Sequence, residues 1–154
     1  GFRIGYACGP KDLIGAMTKI HQYTMLCAPI LSQEAAIEAL KTPQKDIAEM
    51  KAAYHQRRNY FHSAMQELGI PMFKPGGAFY AFPNISQFGL SSRDFAFRFL
   101  EEQKVALVPG TAFGACGEGF VRCSYATSLD ELKEAVTRLK EFTEGLKKSN
   151  AVAS

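Results

Sequence analysis

The chain has 154 residues, of which 47% are hydrophobic and 21% are charged, and its formal net charge is +3. A chain of this length can bury a hydrophobic core without disulfides or structural metals, and this composition is typical of globular proteins. Basic residues are interspersed with acidic ones, so the charge pattern does not support nucleic-acid binding. No apolar run reaches the ~20 residues of a membrane helix, which predicts a soluble protein.

The four cysteines are far apart in the sequence and contain no CxxC pair. In a chain of this size, that pattern predicts reduced thiols and a cytoplasmic location rather than a disulfide framework. A Cys–His zinc site would need its ligands at characteristic spacings, and the three histidines provide none. No metal is therefore predicted.

The first third of the chain is predicted to contain a strand and two helices. Residues 1–6 form an apolar run that predicts a buried strand without an evident partner in the chain, as in a segment of a larger sheet. Helical spacing of apolar residues predicts a helix over residues 10–23 and a second one over residues 31–41.

A long helix is predicted next. Thr42 is a good N-cap and Pro43 suits the first turn, and helical periodicity then continues for about 25 residues until Gly69. Helices of this length often cross a domain boundary or brace one domain against another.

The second half of the chain is predicted to be a small α+β domain. A hairpin over residues 72–82 turns at Pro75-Gly76-Gly77, and strands follow at residues 105–108 and 120–125. Between them, a helix capped by Ser91 or Ser92 is predicted to turn its apolar side chains inward. Those side chains are Phe95, Phe99 and Leu100.

The last helix is predicted to open with a capping box formed by Ser128 and Glu131. Its apolar stripe continues to Leu146, and the polar tail after Lys147 is predicted to fray. The elements from residue 43 onward then form a small sheet covered by helices.

Two arginines in predicted strands are the main candidates for ligand binding. Arg3 has apolar neighbours on both sides, and a buried guanidinium needs an anionic partner, either a structural carboxylate or a bound anion. Strand alternation places Arg122 on the face opposite Val121 and Cys123. There it is either a bidentate carboxylate-binding residue or an ordinary exposed arginine of an edge strand.

Two glycine segments, residues 75–79 and 109–114, place small residues before an aromatic one. Such segments let the backbone approach a ligand closely, although ordinary turns explain them equally well. Neither matches GxGxxG or a Walker loop, and the spacing supports no Ser-His-Asp or Cys-His arrangement.

In this order, the segments resemble the class I/II aminotransferase family, the fold-type-I pyridoxal-phosphate-dependent enzymes. The resemblance extends from residue 1 to about residue 146 and is carried by residues 1–6, 21–29 with 32–36, 75–80, 108–114 and 121–126. It implies that Arg3 binds the phosphate of pyridoxal 5'-phosphate. It also implies that Arg122 binds the substrate α-carboxylate and that Gly77 and Phe79 line the substrate pocket.

The resemblance also implies a domain organisation and a fold class, α/β with an α+β small domain. Residues 1–42 correspond to the end of the large cofactor-binding domain with its interface helices, and residues 43–154 to the small C-terminal domain opened by a long connecting helix. The family's Schiff-base lysine lies just before the position matched by Gly1. No residue here is therefore assigned a catalytic role, and the chain alone is expected to be inactive.

The implied parent protein is a cytoplasmic, homodimeric aminotransferase of amino acid metabolism that acts on amino acids and 2-oxo acids. The resemblance places Thr24 and its neighbours roughly where some relatives carry a second arginine for acidic side chains, and no arginine occurs between Arg3 and Arg57. This favours aromatic or other neutral amino donors without excluding aspartate. Two other functions stay open at this point. They are a ligand-sensing domain of a transcription regulator with the same fold, and a stand-alone small-molecule-binding module.

Overall fold

The structure, a computed structural model, describes residues 1–41 and 45–152, with side chains described up to residue 148. The chain divides into two units, Gly1–Asp46 and Ile47–Ser154. The predicted helix start at Thr42 and Pro43 lies outside the described residues. The assignment of residues 1–42 and 43–154 to two domains of a larger enzyme stays a prediction.

The first unit contains helices α1 (Lys11–Thr24) and α2 (Ile30–Lys41), close to the two predicted helices. The predicted strand over residues 1–6 is wrong, since residues 1–10 have no strand structure and are all exposed. Arg3 has a φ of 52°, in the left-handed region, which is incompatible with an extended strand. In place of a β-ladder, this segment has a hydrogen bond in which the Ser32 hydroxyl donates to the Phe2 carbonyl at 2.8 Å.

Helix α3 (Lys45–Glu67), most of which lies in the second unit, confirms the long helix. Gly69, which follows the last turn of α3, has a φ of 68° and terminates the helix. The Ile70 N–H donates to the Met65 carbonyl at 2.8 Å and the Gly69 N–H to the Gln66 carbonyl at 3.0 Å. This pair of bonds is the Schellman arrangement that glycine favours at a helix C-terminus.

Three short antiparallel strands form a sheet in the order β1-β3-β2: β1 (Tyr80–Ala81), β2 (Val108–Pro109) and β3 (Val121–Ser124). In the β1 ladder Tyr80 lies opposite Ser124, and in the β2 ladder Val108 lies opposite Arg122. The predicted hairpin is reduced to β1 and a single bridge between Met72 and Pro83.

The predicted strand over residues 105–108 is also shorter than expected, because only Val108 and Pro109 find a ladder partner on β3. Val105 and Leu107 pack against the core as irregular backbone instead. In both cases the sequence showed β-prone residues, but the extent of each strand depends on which backbone groups meet a partner.

Helices α4 (Ser92–Gln103) and α5 (Leu129–Val152) cover the inner face of the sheet. Phe95 and Phe99 are buried as predicted, and both rings contact Phe142 with centroids 5.2 Å apart. Leu100 is 44% exposed, so its predicted inward orientation is wrong. Leu100 directly follows Phe99, so it is rotated by about 100° around the helix axis, away from the face that Phe95 and Phe99 share.

The core of the second unit is built from the C-terminal half of α3, the inner face of the sheet, α4 and α5. Its larger buried members are Phe61, Met65, Ile70, Ile85, Phe88, Phe95, Phe99, Val121, Tyr125, Leu132, Leu139, Phe142 and Leu146. The predicted stripe of α5 is confirmed. Burial of each such side chain stabilises the fold by about 1.5–3 kcal/mol.

Both helix starts in this unit follow the predicted capping chemistry in part. The Ser91 hydroxyl accepts from the Asp94 N–H at 3.0 Å, and the Ser128 hydroxyl accepts from the Glu131 N–H at 3.2 Å. The Glu131 carboxylate accepts from the Thr127 hydroxyl, and this bond, together with hydrogen bonds from the backbone and side chain of Ser128, lowers the pKa of Glu131. Helix α5 continues to Val152, and fraying of the tail after Lys147 stays a prediction.

Candidate functional site

Arg122 lies on β3, the central strand of the sheet, and therefore is not the edge-strand arginine considered as an alternative. Val121 and Cys123 are 1% and 7% exposed, whereas Arg122 is half-buried and Ser124 is exposed. The predicted alternation is thus confirmed. The buried face of β3 belongs to the core, and Arg122 projects from the opposite face.

Two aromatic rings flank the Arg122 guanidinium. Its central carbon lies 4.3 Å from the ring centroid of Tyr80 and 4.6 Å from that of Phe113, within the range of cation–π attraction. Tyr80 comes from β1, and Phe113 ends the 3-10 turn Gly110–Phe113 that follows β2. The rings therefore arrive from the strands on either side of β3.

The N–H groups of Arg122 have no hydrogen-bond or salt-bridge partner among the described residues. Neither aromatic ring uses the guanidinium's N–H donors as a carboxylate would. A half-buried cation with unused donors is suited to a planar anion such as a carboxylate, which takes two parallel hydrogen bonds.

Gly77 and Phe79 line a cavity of ≈ 280 Å³ between α3 and the loop that leads into β1. Lys51, His55 and Arg58 of α3 also line it, whereas Arg122 does not. Tyr80 connects this cavity to Arg122, since its ring contacts the Arg122 guanidinium and its ring centroid lies 4.6 Å from that of Phe79. A Cβ at Gly77 would meet no atom within 4 Å, so packing in this chain does not require the glycine.

The loop before β1 is held by two residues that the sequence interpretation missed. The Tyr125 hydroxyl donates to the Ala78 carbonyl at 3.0 Å, and an Arg58 N–H donates to the Pro75 carbonyl at 3.2 Å. Burial raises the pKa of the Tyr125 phenol, and the charge of Arg58 partly opposes this rise. These contacts span long stretches of sequence, so no local pattern predicted them.

The loop after β2 depends on a close approach between two glycines. Gly110 is buried and donates its N–H to the Phe120 carbonyl at 2.9 Å. A Cβ at Gly110 would overlap the Gly117 carbonyl and lie 2.7 Å from the Phe120 carbonyl oxygen. Glycine is therefore required here, and this packing fixes the turn that carries Phe113 to Arg122.

Glu118 ties this loop to the start of α4. Its carboxylate accepts from the Ser92 N–H at 2.7 Å and from the Gly119 N–H at 3.2 Å, while the Ser92 hydroxyl accepts from the Gly119 N–H at 2.8 Å. The hydrogen bond from Ser92, with that from Gly119, lowers the pKa of Glu118. A carboxylate is also favourable at a helix N-terminus.

Arg3 is exposed, contrary to the buried strand from which its need for an anionic partner was inferred. The described residues provide its guanidinium with no hydrogen-bond or salt-bridge partner. Its donors are thus free for a ligand, and one free guanidinium fits one phosphate contact by charge and geometry.

The remaining chemistry of the described residues is limited. They contain no cluster of three or more His, Cys, Asp or Glu side chains that could hold a metal ion. They also include no helix that is both long and apolar enough to span a membrane. All four cysteines are free, and burial raises the pKa of the Cys123 thiol to about 12.

Comparison with known proteins connects this geometry to a family. The family model for aminotransferases of class I and II matches residues 1–139. The putative aminotransferase YugH of Bacillus subtilis (strain 168) is 51% identical over 142 residues, an alignment that covers 92% of this chain and 37% of the relative. A probable N-acetyl-LL-diaminopimelate aminotransferase of the same organism is 43% identical, in an alignment that covers 99% of this chain and 38% of the relative.

Solved structures agree. The crystal structure of an aromatic aminotransferase from Pyrococcus horikoshii OT3 superposes with a TM-score of 0.83 at 40% identity, over 95% of this chain and 40% of that one. The chain belongs to the aminotransferase class I and II family, and its fold is part of the fold-type-I architecture. It spans somewhat over a third of the length of the relatives it matches.

Proposed function

We propose that this chain is part of a pyridoxal-phosphate-dependent aminotransferase that transfers an amino group from an amino acid to a 2-oxo acid. The observation that carries the proposal is Arg122, a half-buried arginine with unused N–H donors on the central strand of a chain in this family. The relatives compared above carry aminotransferase names, which favours an enzyme over a sensing domain or a stand-alone binding module.

Arg122 binds the α-carboxylate that every amino acid and 2-oxo acid substrate carries. A guanidinium and a carboxylate form two parallel hydrogen bonds, so the contact fixes the orientation of the carboxylate and with it the position of the Cα atom. The rings of Tyr80 and Phe113 exclude water from part of the guanidinium surface, which strengthens its attraction for an anion.

Arg3 donates hydrogen bonds to the phosphate of pyridoxal phosphate, as its free and exposed guanidinium allows. When bound, the cofactor supplies the electron sink for chemistry at Cα, and the protein supplies binding and orientation. We assign no proton transfer to a residue of this chain, which we expect to be inactive by itself.

Gly77 and Phe79 form part of the wall that faces the substrate side chain. Phe79 is 37% exposed and stacks on Tyr54 with ring centroids 5.9 Å apart, so it presents a fixed apolar surface. Such a surface suits aromatic and other neutral side chains. The names of the relatives include both aspartate and aromatic-amino-acid aminotransferases, so both donor classes belong in the substrate screen.

We also propose that the parent protein is a cytoplasmic homodimer. The segment that resembles the family's subunit interface exposes large apolar side chains, among them Tyr23 at 82% and Leu26 at 77%. Several large apolar side chains exposed within one short segment are the kind of surface that marks an interaction site. The four free cysteines fit a reducing compartment.

The experiment uses the full-length parent protein loaded with pyridoxal phosphate. Amino donors are screened with 2-oxoglutarate while the absorbance of the cofactor is followed. Arg122→Ala is expected to raise the KM for the preferred donor about 30-fold or more, since loss of one partner of a desolvated charge pair costs at least about 2 kcal/mol.

The matched control is Arg93→Ala, which also removes an arginine over an aromatic ring, 5.5 Å from the centroid of Phe97, but on the exposed side of α4. We expect this control to keep the KM of the wild type. An unchanged KM in Arg122→Ala, or absence of transamination with every donor, would contradict the proposed function.

A further inference from the structure

The rings around Arg122 follow from the register of the sheet. Tyr80 pairs with Ser124, so Tyr80 shares a face of the sheet with Ser124 and with Arg122, two residues before it on β3. Diagonal neighbours at this offset are within reach of long and aromatic side chains. On the other side Val108 pairs with Arg122, and the turn that follows β2 returns Phe113 to the same guanidinium.

A second layer of rings supports the first. Phe82 contacts Phe113 edge to face, with centroids 5.5 Å apart and an angle of 72° between the planes. Phe79 contacts Tyr80 at 4.6 Å and stacks on Tyr54. The two rings at Arg122 therefore have aromatic neighbours of their own, which restrict their rotation.

This arrangement orders the Arg122 side chain and also leaves its N–H donors free. A long arginine side chain loses rotamer entropy when a ligand orders it, which weakens binding unless the side chain is ordered beforehand. A protein carboxylate would order the guanidinium but would also occupy its donors. Aromatic faces attract the cation and leave its N–H donors free.

We infer that Tyr80 and Phe113, here called the aromatic clamp, are positioning residues that pre-order Arg122 for a carboxylate. The inference rests on the proposed function, because it assigns the clamp to the same carboxylate site. It adds that the affinity of this site depends on two rings that are not required to donate a hydrogen bond to the substrate.

The test measures binding rather than turnover, in the full-length parent protein loaded with pyridoxal phosphate. Calorimetry determines the Kd of two unreactive carboxylates, succinate and 3-phenylpropionate, and of their amides, succinamide and 3-phenylpropionamide. The proteins are the wild type, Arg122→Ala, the clamp variants Tyr80→Leu and Phe113→Leu, and the ring-preserving variants Tyr80→Phe and Phe113→Tyr.

Each leucine variant is expected to bind the carboxylates about 3- to 10-fold more weakly, the size expected when one side chain must be ordered by the ligand. The amides are expected to bind with unchanged affinity, because they do not need the charge of Arg122. The ring-preserving variants are expected to match the wild type. Weaker binding of the carboxylates alone would show that the rings position Arg122, because a general structural role would weaken the binding of the amides as well.

Two results would overturn the inference while leaving the proposed function intact. One is wild-type carboxylate affinity in both leucine variants although Arg122→Ala has lost it. The other is an equal loss for carboxylates and amides, which would make the rings a simple pocket wall. If the wild type binds neither carboxylate, or if Arg122→Ala binds them as well as the wild type, the proposed function fails and the clamp with it.

Thermal unfolding of each variant checks its fold. Tyr80 is 36% exposed and lies at the start of a two-residue strand, so Tyr80→Leu is expected to fold even if Phe113→Leu does not, and it then decides the question alone.

Discussion

The two units of the chain differ in the burial of their apolar side chains. In the second unit, most of the larger side chains with helical or strand periodicity are buried in one core. In the first unit, Ser32 is the one buried residue among those described, and thirteen large hydrophobic residues are exposed. The second unit therefore has the contacts of a stable fold by itself, whereas we expect a further protein surface to cover the helices of the first.

The comparison also separates the proposed ligand contacts. Arg122 is held by a sheet and two rings within a well-packed unit. Arg3 lies on an exposed segment in which the described residues provide no partner for its guanidinium. We expect Arg122 to be pre-ordered within this chain and Arg3 to take its binding geometry only where its surroundings are complete.

The largest expected effect is loss of core packing in the second unit. Phe95→Ala removes a fully buried ring that contacts Phe99 and Phe142, and it is expected to lower the free energy of unfolding by about 3–5 kcal/mol. Urea denaturation of the 154-residue chain, followed by circular dichroism, measures the change. Phe97→Ala, on the exposed side of the same helix, and Ile20→Ala, in the first unit, are controls expected to cost less than about 1 kcal/mol.

Equal losses in Phe95→Ala and Ile20→Ala would contradict the contrast between the two units. Such a result would mean that the helices of the first unit pack against another surface in solution, so that side chains such as Ile20 contribute to stability.

A smaller effect is expected from glycine replacements. Gly110→Ala places a Cβ against the carbonyls of Gly117 and Phe120 and is expected to destabilise the second unit by about 1–3 kcal/mol, as in overpacked sites. Gly15→Ala lies within α1, where a Cβ meets nothing within 4 Å. It is expected to raise the helix content of the first unit slightly, because alanine is favoured over glycine in helices by about 1 kcal/mol.

Circular dichroism and urea midpoints measure both glycine variants. A Gly110→Ala protein as stable as the wild type would show that the loop carrying Phe113 is not fixed by the approach of the two glycine backbones.

The smallest expected effect concerns pH. The folded-state pKa of Glu118 is lowered below its ordinary value of 4.5, mainly by the Ser92 N–H. A lowered folded pKa means that the carboxylate stabilises the fold above its unfolded pKa and that this contribution is lost as the pH falls through the folded pKa. The urea midpoint of the wild type is therefore expected to fall on acidification below about 4.5, and that of Glu118→Gln is expected to fall less.

Glu144→Gln, at an exposed position of α5, is the control for loss of a carboxylate elsewhere in the unit. Identical pH profiles for wild type and Glu118→Gln would show that the contact between Glu118 and the start of α4 is not formed in solution.

Local patterns predicted the helices well. The α5 stripe from Leu132 to Leu146 and the pair Phe95 and Phe99 follow from helical spacing alone, because each of these faces repeats within a few residues. The strands were predicted less well. Their extent depends on partners far away in the sequence, as in the pairing of Tyr80 with Ser124. The predicted strand at residues 1–6 failed because the described residues offer it no partner strand and because Arg3 adopts a positive φ.

In the candidate site, too, residues in local patterns were predicted and residues brought together by long-range contacts were not. Strand alternation placed Arg122 on the correct face, and the resemblance to aminotransferases singled out Arg3, Gly77, Phe79 and Arg122. The rings of Tyr80 and Phe113 at Arg122 could not be predicted, since their contact arises from the register of three strands and from the turn that Gly110 permits. The same holds for Tyr125 and Arg58, which bond the loop before β1 from distant segments.

The most direct test of the central claim, that Arg122 is the carboxylate anchor, is the affinity of the cofactor-loaded parent protein for a carboxylate and its amide in wild type and Arg122→Lys. Lysine keeps the positive charge but cannot form the two parallel hydrogen bonds of a guanidinium. The account predicts that Arg122→Lys binds 3-phenylpropionate or succinate at least about 10-fold more weakly and the amides equally well. Unchanged carboxylate affinity in Arg122→Lys and in Arg122→Ala would contradict it.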